Sequence, residues 1–312
     1  MRNFLNLVPS VSEYFCSRRD EKADPLRWRS PRRGGLRQRA IVFGLIGGQS
    51  IAQMLLCLTV VSAGVLHPNA VAAIGATPQV IAQTKENAPA PLTKLLTEID
   101  AAANKRDVKA VMAFYGPNFT HSDGLNSQSM EKGLTELWER YPTLNYRTEI
   151  KSWKTEGSAL IAETVTTITG THKKDGIDLN LKATIRSQQR FEGEKIVKQE
   201  ILAEKTQLTS GKNPPTIQVN LPEEVKVGQE YYFDAIVREP IGNDILIGTI
   251  LEEPVTEKSF FKPAEVELEL LNSGGIFKVG KAPATPENRW ISAVLVRQGG
   301  IAMVSVRLRV VK

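Results

Sequence analysis

A histidine and an aspartate lie two residues apart in the segment His121-Ser122-Asp123-Gly124. Side chains two residues apart on an extended segment point to the same face, so the imidazole and the carboxylate can meet over one substrate. A carboxylate held in a pocket suits proton transfer beside a carbonyl group, and an adjacent imidazole suits a proton relay. Asp123 is therefore the candidate general base of this sequence, and His121 is its candidate catalytic partner.

The same segment also fits an interpretation without catalysis. Asp-Gly is a common pair in tight turns, and a histidine on a loop is usually half-exposed. We favour this simpler interpretation and keep the catalytic one as the alternative. The two differ in one structural expectation: a catalytic Asp123 points into an apolar cavity, whereas a turn aspartate points into water.

Five aromatic side chains in the same part of the chain are candidates to line a ligand pocket, because such pockets are rich in aromatic residues. Aromatic residues at the spacing of regular elements more often belong to the core. Both interpretations therefore stay open for these residues. They are Phe114, Tyr115, Trp138, Tyr141 and Trp153.

The cysteine and histidine content argues against a metal centre. Cys16 and Cys57 both precede residue 77, and only His121 and His172 follow it. Structural zinc sites need about four cysteine or histidine ligands. The sequence also lacks a phosphate loop, a GxSxG nucleophile motif and a dinucleotide-binding fingerprint. We therefore predict no metal and no cofactor.

The positive charge of the chain is confined to its first residues. Of the 40 basic and 34 acidic residues, residues 1–39 contain ten basic and four acidic ones, and residues 40–76 contain none. The remaining 236 residues have equal numbers of each sign. Nucleic-acid binding normally requires a basic face that releases phosphate counterions. Nucleic acid is therefore not a predicted partner.

Residues 1–76 have the order of an export signal: basic residues, then an uncharged apolar stretch over residues 40–66, then the small residues Ala70-Val71-Ala72. We predict cleavage that starts the mature chain between Ala73 and Thr77. An uncleaved anchor through the apolar stretch is the alternative, and it would keep the chain in contact with the membrane. In both cases the remainder crosses a membrane and is periplasmic, lumenal or extracellular.

The elements that hold the candidate residues follow from hydrophobic periodicity. Residues 77–91 are polar and proline-containing, which predicts a flexible tether. Apolar residues then recur at helical spacing from Leu92 to Tyr115 and behind Ser129, a candidate N-cap. From Leu144 to Gln207 the period is two, with Glu-Gly and Asp-Gly turn signals between four strands. Helices followed by an antiparallel meander predict an α+β domain over residues 92–209.

Three segments of this domain carry a family resemblance: Asn104-Lys105-Arg106-Asp107, the run from Ala113 to Phe119, and the run from Arg190 to Ile196. In order and spacing they resemble the nuclear transport factor 2-like, or SnoaL-like, superfamily. The resemblance implies a cone-shaped, curved antiparallel sheet around N-terminal helices, with an apolar pocket. The family includes isomerases, dehydratases and cyclases together with non-catalytic binding or assembly domains, so its fold does not determine function.

In the isomerase branch, the resemblance implies Asp123 as the general base, but the sequence departs from the pattern at the oxyanion donors. Ile99 replaces the tyrosine of the first helix, and a residue near Ser187 replaces the protonated acid of the third strand. Without those donors an enolate would lose much of its stabilisation. A small-molecule isomerase or dehydratase is therefore the alternative function rather than the leading one.

Residues 210–215 form a short linker with two prolines, and residues 216–312 contain about seven short strands, which predicts an all-β sandwich. The run from Val225 to Phe233 resembles the second-strand entry of bacterial immunoglobulin-like domains, without their inter-sheet cysteines. In the last strand, apolar residues alternate with Ser305, Arg307 and Arg309, which predicts one buried and one solvated face. We expect the sandwich and the first domain to fold independently.

Phe260-Phe261 is expected to lie in a loop and to cover the core with its two rings, rather than to form an exposed contact patch. Taken together, the sequence favours an exported, non-catalytic binding or assembly protein. Its partner would be another protein or a small apolar ligand.

Overall fold

The computed structural model describes residues 83–84, 88–174, 177–261 and 267–312. The predicted signal peptide or anchor over residues 1–76 lies outside these ranges. So do most of the predicted tether and the Asp175-Gly176 turn. Within the described ranges, no helix is both long enough and apolar enough to cross a membrane.

Helices dominate the first part of the described chain, after a two-residue strand. The elements are β1 (Gln83–Thr84), α1 (Ala90–Asn104), α2 (Val108–Met112), β2 (Tyr115–His121) and α3 (Ser127–Arg140).

Local capping explains where these helices begin. Pro91 lies in the first turn of α1, where a backbone N–H has no partner within the helix to lose. The helix therefore starts inside the predicted tether, at Ala90. Asp107 caps α2 as predicted, because its side chain accepts from the amide of Ala110 at 2.9 Å. For α3 the predicted cap is wrong: Asn126 is the N-cap, and Ser129 completes a capping box with it from the first turn.

Four long strands follow and form the predicted antiparallel meander. They are β3 (Asn145–Glu156), β4 (Ala159–Lys174), β5 (Ile177–Glu192) and β6 (Lys195–Gly211). The Glu156-Gly157 and Glu192-Gly193 turns lie where the sequence predicts them, and both glycines have a positive φ near 60° that other residues rarely adopt. The short β1 pairs with β3 at the edge of this sheet.

The remaining residues are mostly short strands, with one helix of five residues. They are β7 (Ile217–Asn220), β8 (Glu224–Lys226), β9 (Glu230–Val237), β10 (Ile247–Pro254), α4 (Glu257–Phe261), β11 (Glu269–Leu270), β12 (Gly275–Lys281), β13 (Glu287–Arg297) and β14 (Gly300–Val311). The molecule is thus mostly antiparallel sheet with few helices, an open sheet of the broad α+β or β class.

The last strand joins the two predicted halves into one sheet. The strand order of the large sheet is β1-β3-β4-β5-β6-β14-β13-β10-β11, and a second sheet has the order β12-β9-β7. Strand β14 pairs with β6 over seven residues, from Gly300 with Gly211 to Val306 with Lys205. Earlier in its length, the same edge of β6 pairs in parallel with β2, up to the pair of Gln199 with His121. Between Gln199 and Lys205, β6 therefore passes from one partner strand to another.

Both faces of β14 are buried at Ser305 and Arg307, which corrects the prediction of a solvated face there, whereas the side chain of Arg309 is 25% exposed. Val304 and Leu308 pack in a cluster with Phe233 of β9 and Leu295 of β13. On the other face, Ser305 and Arg307 are 3% and 2% exposed, although the sequence pattern predicts them in water. Strand β13 is buried on both faces in the same way.

The opposite face of β13 and β14 packs against the first half of the chain. Met303 and Val294 belong to one core cluster with Trp138 of α3 and Leu208 of β6. The first two residues of the predicted linker, Ser210 and Gly211, belong to β6 and pair with β14. The two runs of strands, before and after this linker, share a sheet and a core, so the expectation that each half closes its own core is not met by this architecture.

Candidate functional site

The site forms where β6 changes partners. Strand β2 ends at His121, and the chain turns through Ser122 and Asp123 to Gly124, whose φ of 76° favours glycine. The amide of Gly124 donates to the carbonyl of His121 at 3.0 Å, and the Ser122 hydroxyl accepts from the amide of Ile201 in β6 at 3.1 Å. The predicted turn is therefore present. It directs the Asp123 side chain inward, where the residue is 7% exposed and lines a pocket, so the expectation that a turn aspartate points into water is wrong.

Arg307 of β14 is the partner of this carboxylate. Its Nη1 donates to Asp123 Oδ1 and its Nη2 to Asp123 Oδ2, each at 2.8 Å. Nη2 also donates to Glu204 Oε2 of β6 at 3.0 Å, and Glu204 in turn accepts from Trp290 Nε1 of β13 at 3.1 Å. One guanidinium thus links the carboxylate of the turn after β2 with a carboxylate of β6, and all three side chains are almost completely buried.

The electrostatics of this cluster favour its charged form. Burial alone would raise the pKa of Glu204, but the charge of Arg307 and the indole N–H of Trp290 lower it below its ordinary value. Burial alone would lower the pKa of Arg307, whereas the carboxylates of Glu204 and Asp123 raise it. Each carboxylate is hydrogen-bonded to the guanidinium, and such bonds are what allow charged groups to stay buried.

His121 lies beside the cluster as a neutral imidazole. Its side chain is 5% exposed, and burial lowers its pKa below the ordinary value despite the neighbouring Asp123 carboxylate. The amide of Asp123 donates to His121 Nδ1 at 3.1 Å, so this nitrogen is an acceptor and has no proton to give. The Nδ1 atom is 3.8 Å from Asp123 Oδ2. The predicted pair is therefore brought together, but not in the hydrogen-bonded arrangement that a proton relay through Nδ1 needs.

A pocket with a volume of about 130 Å³ opens over this cluster. His121, Asp123, Gln199, Glu204 and Arg307 form its polar side. The rest of its wall is largely apolar and comes from α3, β5, β6 and α4. It includes Met130, Leu134, Leu137, Ile185, Ile201 and Phe260.

The short helix α4 covers part of the pocket with its two phenylalanines, whereas the sequence predicts them in a loop over the core. Phe260 and Phe261 stack edge to face at 5.7 Å between ring centroids, and Phe260 is 5.8 Å from the ring of Trp290. On the facing helix α3, a Cβ atom at Gly133 would lie 3.7 Å from Phe260. A glycine inside a helix costs about 1 kcal/mol relative to alanine, and here it leaves space beside both rings.

The five aromatic residues predicted as pocket candidates lie elsewhere. Trp138 and Tyr141 are buried in the cluster that joins α3 to the sheet, and Trp138 Nε1 donates to the hydroxyl of Tyr146 at 2.9 Å. Phe114, Tyr115 and Trp153 pack against the cluster beneath α1. None of the five is among the residues that line the pocket described above.

The positions at which the resemblance places oxyanion donors are also apart from the pocket lining. Ile99 packs against the cluster beneath α1. Ser187 is 2% exposed, and its hydroxyl pairs with that of Thr164 at 3.2 Å. In the described part of the chain, no group of three histidine, cysteine or acidic residues could hold a metal ion.

Sequence reasoning missed Glu204, Trp290 and Arg307. Each is a polar or aromatic residue within a strand, and their convergence depends on the register between β6 and β14. The one available signal was Arg307 within an otherwise apolar strand. An arginine in that setting normally indicates a solvated face. The pattern by itself therefore predicts an exposed Arg307, whereas the residue is buried.

Residues 212–311 match a family model described as "Domain of unknown function (DUF8623)". This match contains Trp290 and Arg307 but not Asp123 or Glu204. A search of curated proteins finds no match to the chain.

Three solved structures are similar to part of the chain. Bd1075 of Bdellovibrio bacteriovorus has 17% identity and a TM-score of 0.27, over 35% of this chain and 38% of that one. An uncharacterised cystatin-fold protein of Novosphingobium aromaticivorans has 17% identity and a TM-score of 0.26, over 36% of this chain and 98% of that one. An NTF2-like protein of unknown function from Cytophaga hutchinsonii has 14% identity and a TM-score of 0.21, over 37% and 91%. At these scores the similarities carry no inference about function.

Proposed function

We propose that the chain is an exported, non-catalytic binding protein that holds a small, largely apolar molecule in the pocket between α3, α4 and β6. The observation that carries the proposal is the pocket itself: apolar walls over a polar side whose charged groups are already engaged with one another. Binding pockets typically combine mostly apolar walls with a few fixed polar groups.

The hydrogen bonds of Asp123 argue for binding rather than catalysis. A general base must offer a lone pair to the proton that it removes. Both oxygens of Asp123 accept from Arg307, and Oδ1 also accepts from Ser122 at 3.2 Å. A carboxylate engaged in this way holds the turn after β2 against β14, and this role accounts for its burial without a reaction.

An isomerase or dehydratase with Asp123 as general base is the second candidate, because Asp123 and His121 both line the pocket. It requires Arg307 to release one carboxylate oxygen when substrate binds. The two candidates differ in the fate of the bound molecule. A binding protein returns it unchanged, whereas an enzyme exchanges its proton next to a carbonyl with solvent deuterium.

The fold assignment is part of this proposal. Helices α1 to α3 followed by the meander of β3 to β6 support a nuclear transport factor 2-like domain with a curved, cone-shaped sheet. The two sheets that share the cluster of Phe233 and Leu295 support an immunoglobulin-like sandwich after it. In this arrangement the sandwich supplies Arg307 to the pocket lining, and its Trp290 donates a hydrogen bond to Glu204 of that lining.

The binding function is tested by native mass spectrometry of the protein purified from its own host. We expect a bound small molecule in the wild type and its loss in Gly133→Leu, whose side chain grows from α3 into the space beside Phe260 and Phe261. Gln128→Leu is the matched control, since Gln128 is exposed on the same helix and does not line the pocket. A wild-type protein without a bound molecule, or a Gly133→Leu variant that retains it, would contradict the proposal.

Export is tested separately by N-terminal sequencing of the same material. A chain that begins between Ala73 and Thr77 supports a cleaved signal peptide. An intact chain in the membrane fraction supports the anchor, and an intact chain in the cytosol rejects both.

A further inference from the structure

The short helix α4 is attached to the rest of the protein mainly through its two phenylalanines. The helix contains no buried residue. Within the described ranges, its hydrogen bonds stay inside residues 254–261: the amide of Phe260 donates to the carbonyl of Thr256 at 3.0 Å, and the Ser259 hydroxyl donates to the carbonyl of Pro254 at 2.7 Å. Elements with few buried contacts and exposed hydrogen bonds open at a lower free-energy cost than the core strands around them.

Aromatic contacts hold the two rings of α4 over the pocket. The ring of Phe260 lies 5.8 Å from that of Trp290 in β13. The ammonium group of Lys132 in α3 lies 4.5 Å from the centroid of the Phe261 ring, which is a cation–π contact. Gly133 leaves the space in which both rings lie against α3. Because the two phenylalanines line the pocket, moving them would open its wall between α3 and α4.

We propose that α4 is the gate of the pocket. It swings away from α3, the ligand enters and leaves between the two helices, and Lys132 over Phe261 is the latch that keeps the gate closed. This inference rests on the proposed binding function. It adds to it the route by which the pocket is reached.

The other walls of the pocket are fixed more firmly than α4. Strands β5 and β6 are each paired on both sides within the large sheet. Helix α3 is held by Trp138, which is 5% exposed in the core cluster. An opening on the polar side would break the ion pairs of Arg307 with Asp123 and Glu204. The wall formed by α4 is therefore the one that opens at the lowest cost.

The hinge of the gate lies directly before α4. The amide of Val255 donates to the carbonyl of Asn288 in β13 at 2.8 Å, and Val255 is 9% exposed. This residue is therefore anchored to the sheet, whereas Thr256 and the first turn of α4 are exposed. A change of backbone angles at Thr256 is enough to move both phenylalanines, and hinges of lids are typically a few such residues at the end of an element.

The latch should control the rates of binding rather than the affinity. The contact between Lys132 and Phe261 is present in the closed state, with or without ligand, and is lost when the gate opens. Removing it therefore makes opening easier for entry and for exit alike. An exposed cation–π contact is weak, so both rate constants should rise by roughly two- to fivefold. The dissociation constant, which is their ratio, should stay the same.

The probe for the test is fluorobenzene. The pocket volume of about 130 Å³ is close to that of engineered apolar cavities, of about 150 Å³, that bind benzene. Fluorine NMR line shapes of the probe, recorded during titration with the full-length chain expressed in its own host, give the association and dissociation rate constants together with the dissociation constant.

Lys132→Met keeps the length of the side chain and removes its charge, so both rate constants should rise. Lys132→Arg keeps a cation over the ring and should keep the rates of the wild type. The matched control is Lys94→Met. Lys94 has the same type of i, i+4 ion pair, with Glu98 at 3.7 Å, as Lys132 has with Glu136 at 3.9 Å, but it lies on α1 and does not line the pocket. This control should leave both rates unchanged.

A double-mutant cycle assigns the effect to the ring. Phe261→Leu removes the aromatic ring and keeps an apolar side chain in the wall. In that background Lys132→Met should change neither rate further, because the latch is already lost. A further rise of the same size in the double variant would show that Lys132 acts through another contact, and it would overturn the latch.

The remaining outcomes separate the gate from the binding function. If fluorobenzene does not bind the wild type, or binds Gly133→Leu as it binds the wild type, the proposed pocket fails and the gate fails with it. If Gly133→Leu abolishes binding but Lys132→Met keeps both wild-type rates, the pocket stands and the gate is overturned. The gate is also overturned if Lys94→Met accelerates exchange as much as Lys132→Met does, or if Lys132→Met changes the dissociation constant through one rate alone.

Discussion

The guanidinium of Arg307 donates to both carboxylate oxygens of Asp123 at 2.8 Å, although 184 residues separate them in sequence. This pair is buried at the junction of the two runs of strands. Removing one member of a buried pair is costly, because the other charge remains without compensation. Most of our predictions follow from this contact.

Arg307→Met should destabilise the protein by about 3–5 kcal/mol, because it leaves Asp123 and Glu204 buried together without their cation. The measurement is urea unfolding. Arg309→Met is the control two residues along the same strand, where the side chain is 25% exposed and its ion pairs with Glu200 and Glu224 lie at 3.5 and 3.4 Å. The control should lose no more than about 1 kcal/mol. Equal losses of unfolding free energy in the two variants would mean that the buried pair contributes no more to stability than the exposed one.

Asp123→Asn should also destabilise, by about 3 kcal/mol. The turn interpretation of the sequence predicts the opposite, since asparagine suits a turn as well as aspartate does. The structure changes this expectation because the carboxylate faces Arg307, and an amide must turn one of its groups towards the guanidinium without neutralising it. If Asp123→Asn keeps wild-type stability but loses a deuterium-exchange activity, Asp123 is a catalytic base and the enzyme alternative is correct.

Residues 88–211 and 214–312, expressed separately, should not fold as two stable proteins. Strand β14 would leave seven residues of β6 unpaired, and the Arg307 cluster would be divided between the fragments. We expect the joined chain to unfold in one cooperative transition and each fragment to lack one. This replaces the sequence-based expectation of independent folding. Two fragments with cooperative transitions of their own would restore it.

The stability of the protein should fall as the pH drops below about 6.5, the pKa of histidine in an unfolded chain. Burial lowers the pKa of His121 in the folded protein. The unfolded chain therefore binds a proton that the folded one does not, and stability decreases towards acid by at most about 1.4 kcal/mol per pH unit from this group. Glu204, whose pKa is also lowered, adds a further loss only below about pH 4.3.

Urea unfolding at about pH 7 and about pH 5.5 isolates the contribution of His121. His121→Asn keeps an acceptor for the amide of Asp123 and should flatten the dependence in this range. His172→Asn is the control, because His172 is the other histidine after residue 77 and is half-exposed. An unchanged dependence in His121→Asn would show that other groups cause it.

The order of the elements could be predicted because it depends on local sequence. The change of period at Leu144 predicts the meander, and β3 begins at Asn145. The prolines, by contrast, are ambiguous in sequence: Pro89 and Pro91 suit an extended tether and the first turn of a helix equally well. Their actual role depends on the packing of α1 against β3, which no local pattern contains.

Only those residues of the candidate site that are close together in sequence could be predicted. Asp123 and His121 are two residues apart in sequence, and their residue types suggest a pair. Glu204 and Arg307 meet them through the register of two strands that are about a hundred residues apart. The alternation around Arg307 is real, but a pattern within one strand cannot reveal that another part of the chain covers its polar face.

The position of β14 has a consequence for biosynthesis. A ribosome makes Asp123 and β6 long before it makes Arg307, yet β14 lies in the middle of the sheet rather than at its edge. Until that strand arrives, β6 presents unpaired backbone groups, and the carboxylates of Asp123 and Glu204 lack their cation. Such an edge invites aggregation. Nascent chains should therefore depend on chaperones, and premature termination before Gly300 should yield a product that proteases remove.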